Sequence, residues 1–111
     1  MGKTLDFNKL KKQYMTVTLA DENNTVLMIG TPTKAILDNF LGLKDSLTAE
    51  NMGDDAIDEL YDICAQIMNR NKTGVKVSKT QIQELFDFED IIYFIRAYSE
   101  FISEVSNSKN S

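Results

Sequence analysis

Four carboxylates in the middle of the chain are the side chains best spaced for chemistry. The apolar pattern predicts a helix from Asp54 to about Asn71, and one face of that helix carries all four: Asp55, Asp58, Glu59 and Asp62. A solvated acidic face is the simplest interpretation, and a docking site for a basic partner segment is the functional alternative. The loop spacing and central glycine of an EF-hand are absent, which disfavours calcium. Acid–base catalysis would need one carboxylate enclosed in an apolar environment, and nothing in the sequence indicates one.

The other residues that perform chemistry in proteins are scarce. The chain has no histidine, which removes histidine-based catalytic triads and the commonest zinc and iron ligand sets. The single cysteine, Cys64, excludes an intrachain disulfide and falls on the apolar stripe of the acidic helix, where we expect a buried thiol. The string from Gly30 to Lys34 resembles a phosphate loop, but the glycine required directly before the lysine is missing. We therefore expect no catalysis, no metal and no cofactor.

Length and charge bound the remaining functions. A chain of 111 residues with 42% hydrophobic content predicts one folded domain spanning 1–111. Twelve basic residues against 17 acidic ones give a net charge of −5, which disfavours general binding of nucleic acid or anionic membranes. No apolar run approaches the ~20 residues of a membrane span, and the start lacks the apolar core of a signal peptide. These features predict a cytoplasmic protein.

The N-terminal third predicts a basic arm followed by a β-hairpin. Residues 1–13, the N-terminal arm, are polar with four lysines, and we expect this arm to be flexible. Residues 14–29 predict a hairpin, with strands at about 14–20 and 25–29 joined by a turn of acidic and amide residues. A lone two-stranded ribbon is marginal in water, so it must pack on helices or pair with another subunit. The predicted interface residues of the hairpin are Met15, Val17, Val26 and Met28.

Residues 31–106 predict a helical body of about four helices. Thr31 and Pro32 suit the start of the first helix, and Gly42 suits its end. The acidic helix follows, with Asp54 as its predicted cap. The polar residues 107–111 predict a disordered tail. The fold class is therefore α+β and mostly α, with an N-terminal β-hairpin followed by a bundle of about four helices.

Two further helices follow from capping signals. Ser78 with Gln81 three residues later forms a capping box that opens a short third helix. Asp87 caps a long closing helix whose apolar residues fill an arc of roughly 180°; they are Phe88, Ile91, Ile92, Phe94, Ile95, Tyr98, Phe101, Ile102 and Val105. An arc this wide predicts more than one neighbour. Phe94 and Phe101 on its rim are either core residues or contacts to another chain.

The function that these patterns favour is a protein-binding or self-assembling module. Residues 78–105 give a helix, a tight junction and a helix, as in helix-turn-helix DNA readers. The second helix, however, has an apolar start and only Arg96 as a cation, so the contacts to phosphates and bases are missing. The broad apolar arc and the hairpin edge are the expected contact surfaces.

Three features of the chain occur together. They are the opening Leu5-Asp6-Phe7-Asn8-Lys9-Leu10 leading into the hairpin Val17-Thr18-Leu19-Ala20-Asp21 and Val26-Leu27, the junction Gly30-Thr31-Pro32-Thr33-Lys34 into a helical body, and the acidic helix followed by an aromatic closing helix with a polar end. Together they resemble the tail assembly chaperones of long-tailed bacteriophages of Gram-positive hosts. The resemblance is one of layout and size over nearly the whole chain.

This resemblance implies a non-catalytic protein that acts in the cytoplasm of the infected cell and is not part of the mature virion. Such chaperones self-associate, coat the long tape-measure protein and help recruit tail-tube subunits. The partners implied are further copies of this chain, the tape-measure protein and the tail-tube protein, with no nucleic acid, membrane or small-molecule substrate. The alternative is a small acidic regulatory or inhibitor protein that binds a host factor.

Overall fold

The computed structural model describes residues 5–7, 11–46 and 53–108 and shows a β-hairpin followed by four helices. The predicted fold class is confirmed. The elements are, in chain order, the strands β1 (Met15–Thr18) and β2 (Val26–Ile29) and the helices α1 (Lys34–Ser46), α2 (Asp54–Met68), α3 (Lys79–Leu85) and α4 (Phe88–Ser108). The strands pair antiparallel with Met15 opposite Ile29 and Val17 opposite Leu27.

The turn of the hairpin is held by one aspartate. The Asp21 carboxylate accepts a hydrogen bond from the Thr25 hydroxyl (2.6 Å) and another from the Thr25 backbone N–H (2.8 Å). Asn24 adopts a positive φ of 47°, which asparagine tolerates better than most residues. The Leu19 N–H donates to the Thr25 carbonyl (2.8 Å) and closes the ladder. These bonds fix the register of the hairpin.

The two edges of the hairpin differ. The outer edge of β2 is covered by the chain that leaves α2, because the Gly30 N–H donates to the Arg70 carbonyl (3.2 Å) and the Lys72 N–H donates to the Met28 carbonyl (3.0 Å). Ile29 also forms an isolated bridge with Asn71. Within the described part of the chain, β1 has only β2 as a strand neighbour. Its outer edge is therefore open.

The first helix begins later and ends later than the sequence predicts. Thr33, not Thr31, precedes the first turn: its hydroxyl accepts from the Ile36 N–H (3.4 Å) and its carbonyl from the Leu37 N–H (2.9 Å). The helix then passes through Gly42, which was predicted to end it, and continues to Ser46. A glycine inside a helix costs only about 1 kcal/mol, and the apolar residues beyond it, such as the half-buried Leu43, favour continuation.

The acidic helix α2 is bounded differently from the prediction. Gly53 occupies the N-cap position without a side-chain hydrogen bond, so Asp54 is the first helical residue and not the cap. At the other end the helix stops at Met68 because two asparagines redirect the chain. The Asn69 side chain bonds both the N–H and the carbonyl of Val77 (2.7 and 2.8 Å), and the buried Asn71 side chain bonds the Met68 carbonyl (2.9 Å).

The predicted caps of the last two helices are both present. Ser78 and Gln81 form a reciprocal capping box at the start of α3. Asp87 and Asp90 do the same at the start of α4: the Asp90 N–H donates to Asp87 Oδ1 (2.9 Å) and the Asp87 N–H to Asp90 Oδ2 (3.0 Å). The helix continues to Ser108, two residues beyond the predicted end of the helical body. The rest of the predicted tail, and residues 1–4 and 8–10 of the N-terminal arm, lie outside the described residues.

Tyr98 lies at the centre of the core. Its ring is fully buried, meets the Phe40 ring edge-on (centroids 5.5 Å apart) and stacks on the Phe94 ring (5.9 Å). Its hydroxyl donates to the Gly30 carbonyl (2.9 Å) at the end of the hairpin. One side chain of α4 therefore contacts both α1 and the hairpin.

None of the helices in the described ranges is both long enough and apolar enough to cross a membrane. This includes α4, whose 21 residues would be long enough but whose solvent side is charged.

We expect Tyr98→Phe to destabilise the fold by about 1–3 kcal/mol, because the buried Gly30 carbonyl loses its partner while the ring packing is kept. Urea unfolding followed by circular dichroism measures this. Tyr93→Phe is the matched control: Tyr93 is 78% exposed, and its loss of a hydroxyl should change stability by less than about 0.5 kcal/mol. Equal effects of the two changes would contradict the role assigned to Tyr98.

Gly42→Ala is expected to stabilise the protein by about 0.5–1 kcal/mol, since alanine favours helix and a Cβ added there meets nothing within 4 Å. The measurement is the midpoint of thermal unfolding. Gly74→Ala serves as the opposite control, because Gly74 has a φ of +80° and alanine is strained there whatever the space. A Gly42→Ala variant that melts below the native protein would mean that Gly42 is needed as glycine.

Candidate functional site

A groove of about 440 Å³ lies between the open edge of β1 and the side of α4, and it is the candidate binding site. We call it the β1–α4 groove. Its hairpin wall consists of residues 15–18 and Ala20. Its helix wall consists of Asp90, Tyr93, Phe94 and Ala97, and Met68 and Phe86 complete the lining. Its size lies within the ~300–1,000 Å³ typical of ligand pockets.

The hairpin wall offers backbone hydrogen-bonding groups. In an antiparallel ladder, hydrogen-bonded and non-bonded pairs alternate. Because Leu19 is bonded to Thr25, the pairs Thr18–Val26 and Thr16–Met28 are non-bonded. The N–H and carbonyl groups of Thr16 and Thr18 consequently point away from β2, along the open edge. Such an edge pairs readily with another extended chain.

The helix wall is an ordinary helical face. Asp90, Tyr93, Phe94 and Ala97 are spaced at i, i+3, i+4 and i+7, so they lie on one side of α4. Small Ala97 leaves room beside the ring of Phe94, and Tyr93 is 78% exposed with its ring at the groove. The wall is therefore apolar and aromatic, with one carboxylate at its N-terminal end. This combination favours apolar side chains next to a positive charge.

The predicted hairpin interface residues lie on two faces. Met15 and Val17 are half-buried, pack against the core and line the β1–α4 groove. Val26 and Met28 point to the opposite face, because Val26 pairs with Thr18 and Met28 with Thr16. Val26 is 48% exposed, whereas Met28 is half-buried. The groove therefore brings together only the β1 pair of the four.

Phe94 and Phe101 are mostly enclosed within the protomer, at 7% and 8% exposure. Both rings lie within 6 Å of the Tyr98 ring, centroid to centroid. The wide apolar arc of α4 is thus largely covered by its own chain, through the hairpin, α1 and α2. Phe94 lines the β1–α4 groove, whereas Phe101 does not.

The four carboxylates of the predicted acidic face do not share one environment. Asp58 forms an ion pair with Lys79 of α3, Nζ to Oδ2 2.7 Å, and this hydrogen bond raises the pKa of the lysine. Glu59 and Asp62 instead line a second, more open pocket of about 490 Å³ between α1 and α2, which they share with Asp38. Asp55 is exposed. Docking of a basic segment on this face remains a prediction. Because Asp58 is paired with Lys79, the residues that we expect to take part are Asp55, Glu59 and Asp62.

Cys64 and the carboxylates of the α1–α2 pocket lie in opposite environments, the thiol buried and the carboxylates exposed. Cys64 is buried in the core, and burial raises the pKa of its thiol to about 12, so it is not a thiolate at neutral pH. No group of three or more histidine, cysteine, aspartate or glutamate side chains in these ranges is arranged to hold a metal ion. The carboxylates of the α1–α2 pocket are exposed to water. The candidate binding surfaces among the described residues are the β1–α4 groove and the α1–α2 pocket.

The sequence did not reveal most of the groove. In the sequence, Thr16 and Thr18 form the polar side of a predicted strand, and Ala97 alone does not indicate a binding site. Asp90 lies in the first turn of the predicted closing helix, and Tyr93 is absent from its apolar arc. The spacing of Asp90, Tyr93, Phe94 and Ala97 is the only available signal, and it becomes meaningful once β1 is known to lie opposite.

Comparison with known proteins finds no matching family model, no matching curated protein and no matching solved structure.

The turn that sets the β1 edge should make the hairpin pH-dependent. Hydrogen bonds from the Thr25 hydroxyl and then from its N–H lower the pKa of Asp21 below its ordinary 3.8. A lowered pKa in the folded state stabilises the fold above 3.8, and this stabilisation is lost as the pH falls through the folded pKa. We therefore expect Asp21→Asn to melt below the native protein at neutral pH, and the difference to shrink in acid.

Glu22→Gln, a change of the same chemistry at an exposed residue of the same turn, is the control and should show no such convergence. Thermal unfolding by circular dichroism over a pH series provides the measurement. A difference for Asp21→Asn that stays constant down to the acid limit would contradict the assigned role of the carboxylate.

Proposed function

We propose that this chain is a non-catalytic tail assembly chaperone of a long-tailed bacteriophage of a Gram-positive host. In this proposal it acts in the host cytoplasm, associates with further copies of itself, and coats the tape-measure protein while tail-tube subunits assemble. It is absent from the mature virion. The layout of the sequence supports the family, and the surfaces of the fold support a protein that works by binding other chains.

The observation that carries the proposal is the open β1 edge beside an apolar groove. Backbone groups of Thr16 and Thr18 offer hydrogen bonds that any polypeptide can make, whatever its side chains. Met15, Val17 and Phe94 in the same groove offer apolar contact. A site with these two properties binds polypeptide segments.

A second surface suits a client with positive charges. Asp55, Glu59 and Asp62 are exposed along one side of α2. Asp38 faces Glu59 and Asp62 across the α1–α2 pocket, but it is already paired with Lys34 (Nζ to Oδ2 2.8 Å). With a net charge of −5 the whole protein attracts basic segments over distances of about a Debye length, ~8–10 Å at physiological salt. We assign client binding to this acidic surface and self-association to the β1–α4 groove.

The genomic setting offers the simplest check. A tail-tube gene upstream and a very long tape-measure gene downstream are expected around the gene for this chain. A gene embedded among unrelated regulatory genes would argue for the alternative, a small acidic regulatory or inhibitor protein that binds a host factor.

Co-expression with the tape-measure protein of the same genome tests the activity. We expect the native chain to keep the tape-measure protein soluble and to co-purify with it in many copies. The double variant Glu59→Lys with Asp62→Lys should weaken this binding roughly tenfold, because two charge pairs at about 0.5–1 kcal/mol each are lost. Binding is measured by titration of a purified tape-measure fragment.

The matched control places the same charge change elsewhere. Glu22→Lys with Glu104→Lys alters net charge equally at two exposed positions away from the α1–α2 pocket, and it should retain most of the binding. Equal losses in the two double variants would mean that only net charge matters. A native chain that stays monomeric and leaves the tape-measure protein insoluble would overturn the proposed function.

A further inference from the structure

We propose that Leu5 and Phe7 of one protomer insert into the β1–α4 groove of a second copy. The inference rests on the self-association in the proposed function and specifies the surfaces that produce it. Every copy then donates one N-terminal arm and accepts another. Such an exchange is either reciprocal within a pair or continues from copy to copy.

The first argument is that two apolar side chains, Leu5 and Phe7, and an apolar groove are exposed on the same protomer. Leu5 and Phe7 are 74% and 77% exposed, among the most exposed large apolar side chains in the part of the chain that the structure describes. Neither residue lines the groove of its own protomer. Covering both surfaces at once removes apolar area from water on each side, which favours the association.

The second argument is the spacing of the two side chains. Phe7 has a 3₁₀-helical backbone in the protomer, so the segment must become extended when it pairs with β1. Residues two apart then project from the same side, and Leu5 and Phe7 enter the groove together. A segment running along β1 also meets the outward N–H and carbonyl groups of Thr16 and Thr18. Backbone pairing and side-chain insertion therefore require the same placement of the incoming segment.

The third argument is charge. Four lysines against one aspartate give the N-terminal arm a net charge of +3, which leaves −8 on the rest of a chain whose total is −5. Lys11 and Lys12 are exposed, and Asp90 lies at the N-terminal end of the groove next to the exposed Asp87 and Glu89. The arm of one copy is thus attracted to the groove region of another.

A photo-crosslinking experiment in the full chain tests the proposal. The photoreactive residue p-benzoylphenylalanine replaces Phe7 in unlabelled protein, which is mixed with an excess of native protein labelled with ¹⁵N. After illumination, adducts are mapped by mass spectrometry. We expect crosslinks from the unlabelled arm to heavy peptides containing the groove residues Met15 or Met68, which benzophenone attacks readily. The same probe at Leu41, exposed on α1, should not label these peptides.

Two results would overturn the proposal. Crosslinks confined to light peptides would show that the arm docks on its own protomer, and heavy adducts that map away from the groove would show a different interface. If the native chain assembles in solution while either result is found, this inference fails and the proposed function stands. If the native chain is monomeric at all concentrations, both this inference and the proposed function are contradicted.

A second set of variants keeps the fold intact. Thr16→Pro removes an N–H that points away from β2, so proline is tolerated in the hairpin but blocks the incoming segment. We expect Thr16→Pro, and separately Leu5→Asp with Phe7→Asp, to reduce the assembled mass to that of one protomer with unchanged circular dichroism. Leu41→Asp is the matched apolar-to-acid control and should assemble as the native chain does. If Thr16→Pro and the double variant Leu5→Asp with Phe7→Asp both still assemble, the proposal is contradicted.

Discussion

The buried hydrogen bond from the Tyr98 hydroxyl to the Gly30 carbonyl is the contact on which the relative placement of hairpin and helices depends. A buried carbonyl without a partner is costly, so the bond fixes one end of the hairpin against α4. The same ring packs on Phe40 of α1 and Phe94 of α4. Burial raises the pKa of the Tyr98 hydroxyl to about 12, so it stays protonated and can donate at any physiological pH. The β1–α4 groove is therefore formed before any partner arrives.

The chain between α2 and α3 explains why only one edge of the hairpin is open. Asn69 and Asn71 satisfy the backbone groups of this connection with their carboxamides, which holds it beside β2. Residues Arg70 and Lys72 then pair with the outer edge of β2. In the described ranges no buried side-chain nitrogen or oxygen lacks a hydrogen-bond partner. The buried polar side chains of these ranges are therefore satisfied, and the backbone groups of Thr16 and Thr18 lie along the open edge of β1.

Apolar and charged surfaces are separated in a way that suits assembly. The groove combines an open strand edge with Met15, Val17 and Phe94, whereas the acidic residues of α2 face the α1–α2 pocket on other elements. A copy held at the groove through Leu5 and Phe7 would leave the acidic surface available to a client. Strand edges are usually protected against such pairing, so an open one beside an apolar groove indicates a use. The proposed interface would thus use the groove for self-association and leave the acidic surface for the client, as the proposed function requires.

The sequence by itself determined the types of the elements and the caps of α3 and α4, because these depend on neighbours within one or two turns. The predicted caps of α1 and α2 were wrong by two residues and by one. The Ser78–Gln81 box, the Asp87 cap and the Asp21 turn are local hydrogen bonds, and the spacing of apolar residues set the strands and α4. Local rules failed where packing overrode them, as at Gly42 inside α1, and where the carboxamides of Asn69 and Asn71 ended α2 at Met68. Only the tertiary structure decided that the wide arc of α4 is mostly core and that Val17 and Val26 face opposite ways. It also decided that β1, not β2, keeps an open edge beside Phe94. These outcomes depend on contacts between residues far apart in sequence, whose partners no local spacing specifies.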